Sequence, residues 1–170
     1  MISKKIQDAF NNQINEELAS AYLYLSMEAH FHAAGLEGMA NWMRVQTQEE
    51  IGHAMKFFDF INERGGMVEL MPISADLHRK WDSPLGIFQA SYQHEQHITA
   101  CINDLVKLAN DEQDHAAGVF LQWFVTEQVE EEANTSNVAQ MLERVGESGH
   151  ALFMADQILG QRGSETQAQE

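Results

Sequence analysis

Both prolines of this chain, Pro72 and Pro84, fall in one short stretch, so the residues on either side are free to run as long unbroken helices. They are patterned to do so. Met39, Met43, Gln46, Glu50, His53, Phe57 and Phe60 follow one another in alternating steps of four and three, the inward stripe of an amphipathic helix. The middle of that stripe holds a carboxylate and an imidazole among methionines and phenylalanines. An unpaired carboxylate is costly to bury, so residues in such a place are paired, protonated or bound to metal.

The same periodicity divides the rest of the chain. A first helix is predicted from about Ser3 to Ala33, with Ile6, Phe10, Ile14, Glu17 or Leu18, Ala21 and Leu25 inward, and Gly35 suits the left-handed position that ends it. The second runs from about Glu37 to Arg64 and stops at Gly65-Gly66. Ser83-Pro84 is a helix start, with serine as cap and proline at the first position. The third helix therefore runs to about Asn110, carrying Phe88, Ser91 or Tyr92, Glu95, Ile98, Ile102 and Leu105 on one face. Asp114 caps a fourth, from about His115 to Val145, with the stripe Phe120, Phe124, Glu127, Glu131, Asn134, Val138, Met141, Val145. Apolar residues over 149–160 form a short fifth helix, and the tail 161–170 is polar. The unpatterned linker 65–83 reaches about 60 Å when extended, against about 40 Å for the second helix, so it can cross the whole bundle and leave the second and third helices parallel. The fold class is all-α: a four-helix bundle with a long crossover and a short fifth helix, in one domain over 1–170.

A chain of 170 residues, 44% of them hydrophobic, can bury a substantial core. Its net charge of −16 argues against nucleic acid and anionic membranes as partners and suits the handling of cations, although most of it is simply solvated surface. Cys101 is alone, which excludes an intrachain disulfide, and reads as an inert packed thiol. The start lacks the apolar core of a signal peptide and no apolar run is long enough to span a membrane, so a cytoplasmic location is expected.

Each of the four long stripes has acid at its centre. Glu17 and Glu50 lie at similar distances from the Gly35 turn, and Glu95, Glu127 and Glu131 at similar distances from a turn near residue 112, so within each hairpin the acids meet at one height. Left uncompensated they would repel and hold protons. One acid from each of two helices, joined by Glu-x-x-His, is the ligand pattern of dinuclear carboxylate bundles. Oxygen-rich ligands with one imidazole suit Fe, Mn or Zn. Such a site can take two Fe(II), pass electrons to O₂ or peroxide and leave ferric iron. Glu17 and His53 would hold one ion, Glu95 and Glu131 the other, with Glu50 bridging. The second half breaks the symmetry, because Glu127 is followed three residues later by Glu130 rather than histidine. Surplus carboxylate favours a labile transit site over a permanent cofactor. A di-iron oxidase or peroxidase that keeps its cluster, and a redox-inert metal-buffering bundle, are the competing readings.

Asn15-Glu-Glu, Tyr22-Leu-Tyr24, Gln48-Glu-Glu-Ile-Gly-His53, Tyr92-Gln-His-Glu95 and the run from Leu121 to Glu131 resemble the prokaryotic non-haem ferritins over roughly residues 3–160. The resemblance implies a hollow homo-oligomeric shell of 24 subunits that oxidises Fe(II) with O₂ or hydrogen peroxide and stores ferric mineral. By motif, one ferroxidase iron falls to Glu17, Glu50 and His53, and the other to Glu50, Glu95 and Glu131 with Gln128 close by. A third iron site matches Glu49, Glu127, Glu130 and Glu131. Tyr24 matches a tyrosine near the centre, either an electron donor or a core residue hydrogen-bonded to a ligand carboxylate. Haem is not expected: Ile51 stands where bacterioferritin carries its haem-ligating methionine, and Met43 and Met55 read as core filler. The cysteine-rich module of a rubrerythrin is absent from the sequence.

Among the remaining residues, His94 and His97 are assigned to the surface or to supporting roles, and His30, His32, His78, His115 and His150 lie outside the height of the cluster. Asp111, Glu112 and Asp114 fit an ordinary charged turn better than an ion pore. Trp123 is expected beside the metal site, and Trp42 and Trp81 at subunit contacts.

Overall fold

In the computed structural model, which describes residues 1–73, 81–146 and 148–163, the helices are α1 (Lys4–Ala34), α2 (Glu37–Glu63), α3 (Pro84–Asp111), α4 (His115–Val145) and α5 (Gly149–Leu159). His78, the rest of 74–80 and the tail beyond 163 lie outside the described residues. Local chemistry sets the ends. The side chains of Ser3, Ser83, Asp114 and Ser148 accept from the backbone N–H three residues on, and Gly35 closes α1 at φ 71°. Only α2 begins without a side-chain cap of its own. One of its free donors is met from α5 instead, where buried Asp156 accepts from Met39 N at 2.8 Å.

Directions follow from the cross-helix partners. Ser20 meets His94, Glu16 meets His97, and Lys5 meets Glu112, so α1 and α3 are antiparallel. Gln46 meets Glu131, His53 meets Glu127, and Arg64 meets Asp114, so α2 and α4 are antiparallel too. With α1 and α2 forming a hairpin, α2 and α3 run parallel.

Two apolar clusters occupy the interior. Ile6, Phe10, Phe57, Ile98, Leu121 and Phe124 belong to one, with the Phe57 and Phe124 ring centroids 4.3 Å apart. Met27, Phe31, Met39, Met43, Trp42 and Phe88 belong to the other. Each such side chain contributes about 1.5–3 kcal/mol on burial, which secures the bundle on both sides of a polar layer. That layer is Glu17, Gln46, Glu50, His53, Glu95, Gln128 and Glu131, all buried.

The expected stripes hold on α2 and α3. On α1, Leu25 is 45% exposed, and Tyr24, Met27 and Phe31 continue the buried row instead. On α4 the buried row is Ala117, Leu121, Phe124, Gln128, Glu131, Thr135, Val138 and Leu142. Phe120, Glu127, Met141 and Val145 flank it half-buried, and Asn134 is exposed. Two neighbouring rows satisfy the same three-and-four spacing, and only the packing partner selects between them. Met55, 46% exposed, is not core filler. Trp42 is 3% exposed and packs edge-on to Phe88, with centroids 5.0 Å apart, so it is a core residue rather than a subunit contact. Trp81 also packs against this cluster.

Candidate metal centre

Glu50 and His53 lie three apart on α2 and so share a face, with His53 Nδ1 3.3 Å from Glu50 Oε2. Glu17 reaches in from α1. Its Oε1 accepts from Gln13 Nε2 at 2.8 Å, while Oε2 is buried with no hydrogen-bond partner and lies 3.9 Å from His53 Nδ1. One donor atom from each of Glu17, Glu50 and His53 lies within 4.8 Å of the others, and all three residues are at most 4% exposed. A cation with bonds of about 2 Å draws such donors together with small side-chain shifts. His53 faces a second group through Nε2, 3.8 Å from Glu127 Oε1, and His53, Glu127 and Glu131 again offer donors within 4.8 Å.

Glu95 enters from α3 and belongs to neither group. The Tyr24 hydroxyl donates to its Oε1, and Gln128 Nε2 lies 3.3 Å from its Oε2. Gln46 Nε2 donates both to Glu50 Oε1 at 3.0 Å and to Glu131 Oε2 at 2.8 Å, tying α2 to α4 through the two carboxylates. Glu49 is half-buried and bonds to Arg162, which lies just beyond α5; Glu130 is exposed. The His53 ring packs edge-on to Trp123 at 5.4 Å and Phe124 at 6.0 Å, which puts Trp123 beside the site.

Burial, and after it the Glu50 charge, lifts Glu17 to about 8. Burial and Glu50 also lift Glu131 to about 8. Burial raises Glu95 well above the carboxylate range, with Glu50 and Glu131 adding to it. Burial pushes Glu50 the same way, but the hydrogen bond and charge of His53 outweigh it and leave Glu50 below its usual value. Burial opposes charge on His53, yet Glu127 and Glu50 hold it well above the usual imidazole value. Glu28 provides the contrast: equally buried, it is bonded by Arg44. Among the described residues no lysine or arginine pairs with Glu17, Glu50, Glu95 or Glu131.

The sequence pattern put Gln46 on the inward row of α2 without giving it a role, and pointed to neither Gln13 nor Arg162. The glutamines carried a signal, since each stands four residues before a central acid, Glu17 or Glu50. Arg162 carried none, because its partners are far away in the chain. The supporting and surface roles expected of two histidines are met: His94 bonds to Ser20 and exposed His97 pairs with Glu16. Half-buried Cys101 lies 3.7 Å from the exposed His97 ring rather than packed in the core. Glu112 pairs with Lys5, and Asp114 caps α4 while pairing with Arg64, which is the ordinary use of a charged turn.

The ferritin-like domain family matches residues 7–145. The bacterial non-haem ferritin of Bacteroides fragilis is 42% identical over 162 residues, 95% of this chain and 100% of the relative. That of Campylobacter jejuni is 36% identical over 159 residues, 94% of this chain and 95% of the relative. Among solved structures, the open-pore ferritin of the archaeon Archaeoglobus fulgidus superposes with a TM-score of 0.93 at 49% identity, covering 96% of this chain and all of that one. With its helices, its acid layer and these relatives in agreement, the chain belongs to the ferritin family, among the prokaryotic non-haem ferritins.

Proposed function

We propose that Glu17, Glu50 and His53 hold one iron of a ferroxidase centre, and that Glu50, Glu95 and Glu131, with Gln128 close by, hold the second. The chain is an iron-storage ferritin subunit that oxidises Fe(II) to Fe(III) and retains the ferric product. The assignment is carried by one observation: Glu17 Oε2 is buried, has no hydrogen-bond partner and faces two further donors. A group in that state needs a proton or a cation. Oxygen donors with a single imidazole fit iron, which is here the substrate.

Each pair of Fe(II) ions gives up two electrons. Dioxygen with two protons takes them to become hydrogen peroxide, and peroxide takes them to become two hydroxides. His53 and the protonated carboxyls hold protons at the place where this exchange occurs. Tyr24 keeps Glu95 in position through its hydroxyl, and in this reading it also passes an electron. Glu127 and Glu131, beside His53, with Glu49 and Glu130, form a third iron site on the route toward storage. The chain folds as one domain and assembles as a 24-subunit cage in the cytoplasm. Among the described residues no helix is long and apolar enough to cross a membrane.

Iron-free protein given Fe(II) and air should develop ferric absorbance within seconds and retain many irons per subunit. Glu50→Ala should abolish the fast phase, since losing a partner that only supports a metal ligand already costs about 10–100-fold and Glu50 is shared by both ions. An unchanged rate would reject the site assignment. Retention of only two irons per subunit would instead describe an oxidase that keeps its cluster.

A further inference from the structure

Residues 160–162 are docked against the start of α2. Asn41 Nδ2 donates to Arg162 O at 3.0 Å and to Gly160 O at 3.4 Å, and Asp156 holds Met39 N. Gly38 and Gly160 pass so closely that a Cβ on Gly160 would lie 3.0 Å from Gly38 Cα. This docking aims the Arg162 side chain along α2 toward the acid layer. The guanidinium lies over the Trp42 ring, 4.2 Å from its centroid. Its Nη2 donates to Glu49 Oε2 at 2.6 Å and its Nη1 to Gln46 Oε1 at 2.8 Å. Both ends of the Arg162–Glu49 pair are mostly shielded from solvent, with side-chain exposures of 18% and 15%. Gln46 is the residue that bonds Glu50 and Glu131, so the arginine also touches the network that orients two central carboxylates.

We propose that Arg162 is a tethered cation that occupies the Glu49 corner of the third iron site, so that a metal ion binds there only by displacing its guanidinium. This rests on the reading of Glu49, Glu127, Glu130 and Glu131 as that site. The Nη2 contact takes Glu49 Oε2, and a guanidinium and a metal ion drawn to one carboxylate repel each other, so the two cations compete for it. The apparent affinity of the third site is its intrinsic affinity reduced to the fraction of chains in which Arg162 has swung away from Glu49. Iron therefore dwells weakly at the third position, and a displaced ion is replaced by a charge already in place. The C-terminal segment thereby sets how readily iron leaves the paired centre.

The test uses the full-length iron-free protein titrated with Zn(II), which is redox-inert, with metals per subunit and affinities read by calorimetry and metal positions by anomalous diffraction. Arg162→Gln should tighten the third zinc by about tenfold, as expected if the pair is closed about 90% of the time, without tightening the first two. Arg162→Lys, which keeps the charge but not the fork, should fall between. Glu49→Gln should remove the third zinc in either background. If Glu49→Gln removes it while Arg162→Gln leaves its affinity at the wild-type value, the competition is overturned and the site reading stands. If Glu49→Gln leaves the third zinc in place, the site reading fails and the proposal with it. Weakening of all three zincs by Arg162→Gln, with a lowered unfolding temperature, would mark the arginine as merely structural and also overturn the proposal.

Discussion

A carboxyl group at the centre of an apolar bundle has three ways out of an expensive position: a basic partner, a proton or a metal ion. Glu28 has the first, through Arg44. Glu17 and Glu131 have no such partner, and at about 8 both are protonated in the metal-free protein near neutrality. Their folded values lie above the ordinary 4.5, so the folded protein holds protons that the unfolded chain has released. That contribution to stability is complete below about 4.5 and is lost as pH rises through about 8. His53, also raised, slopes the same way, whereas Glu50, held low, acts only at the acid end. The unfolding temperature of metal-free protein should therefore fall between about pH 5 and pH 8.5. Glu17→Gln should flatten that fall and weaken metal binding together. Zinc added at neutral pH should release protons and remove most of the slope, because a cation replaces the proton at each carboxylate. A metal-free protein whose unfolding temperature is flat across this range would show that these acids are solvated.

At the scale of the helix, boundaries were legible because caps are local. Gly35, Ser83-Pro84 and Asp114 each act within a few residues of themselves, and all three sit where the pattern placed them, while Ser3, expected as the first helical residue, caps α1 instead. The inward row of α2 was legible too, as its period is unbroken. The row on α4 was not, since Glu127 and Gln128 both satisfy the spacing and the choice is made by α2 and α3 across the core. The docking of α5 was also hidden, because Asp156 acts 117 residues from Met39. That docking yields a prediction against intrinsic preference. Alanine favours a helix over glycine by about 1 kcal/mol, so Gly38→Ala should stabilise α2 in isolation. Here the new Cβ would stand 1.8 Å from the Asp156 carbonyl oxygen, and backbone must move. The variant should lose the Asp156–Met39 bond, cost about 1–3 kcal/mol and expose α5. Hydrogen exchange over 149–159 should accelerate selectively, and protection equal to wild type would show that α5 is not held by this contact.

For the whole molecule, charge and topology act together. α2 and α3 run parallel, and of the described residues between them Val68 and Trp81 pack against the two core clusters. Each chain also brings a net charge of −16 to any assembly it joins. The acid layer is buried, but most of the excess is exposed, and like charges brought together in a shell repel over distances set by the ionic strength. The screening length is about 30 Å at 0.01 M salt and about 8 Å at 0.15 M, so repulsion between facing subunits spans an interface in the first case and barely crosses it in the second. Burial of apolar surface between subunits does not weaken on adding salt. The balance should therefore tip toward the closed shell as salt rises. Sedimentation of the metal-free protein should show small oligomers near 0.01 M and a single large particle by about 0.5 M, with a divalent cation shifting the transition to lower salt. A particle whose size ignores salt would mean that the acids are paired with bases across each interface, and that the negative charge serves the interior, where iron is drawn and kept, rather than setting the threshold for assembly.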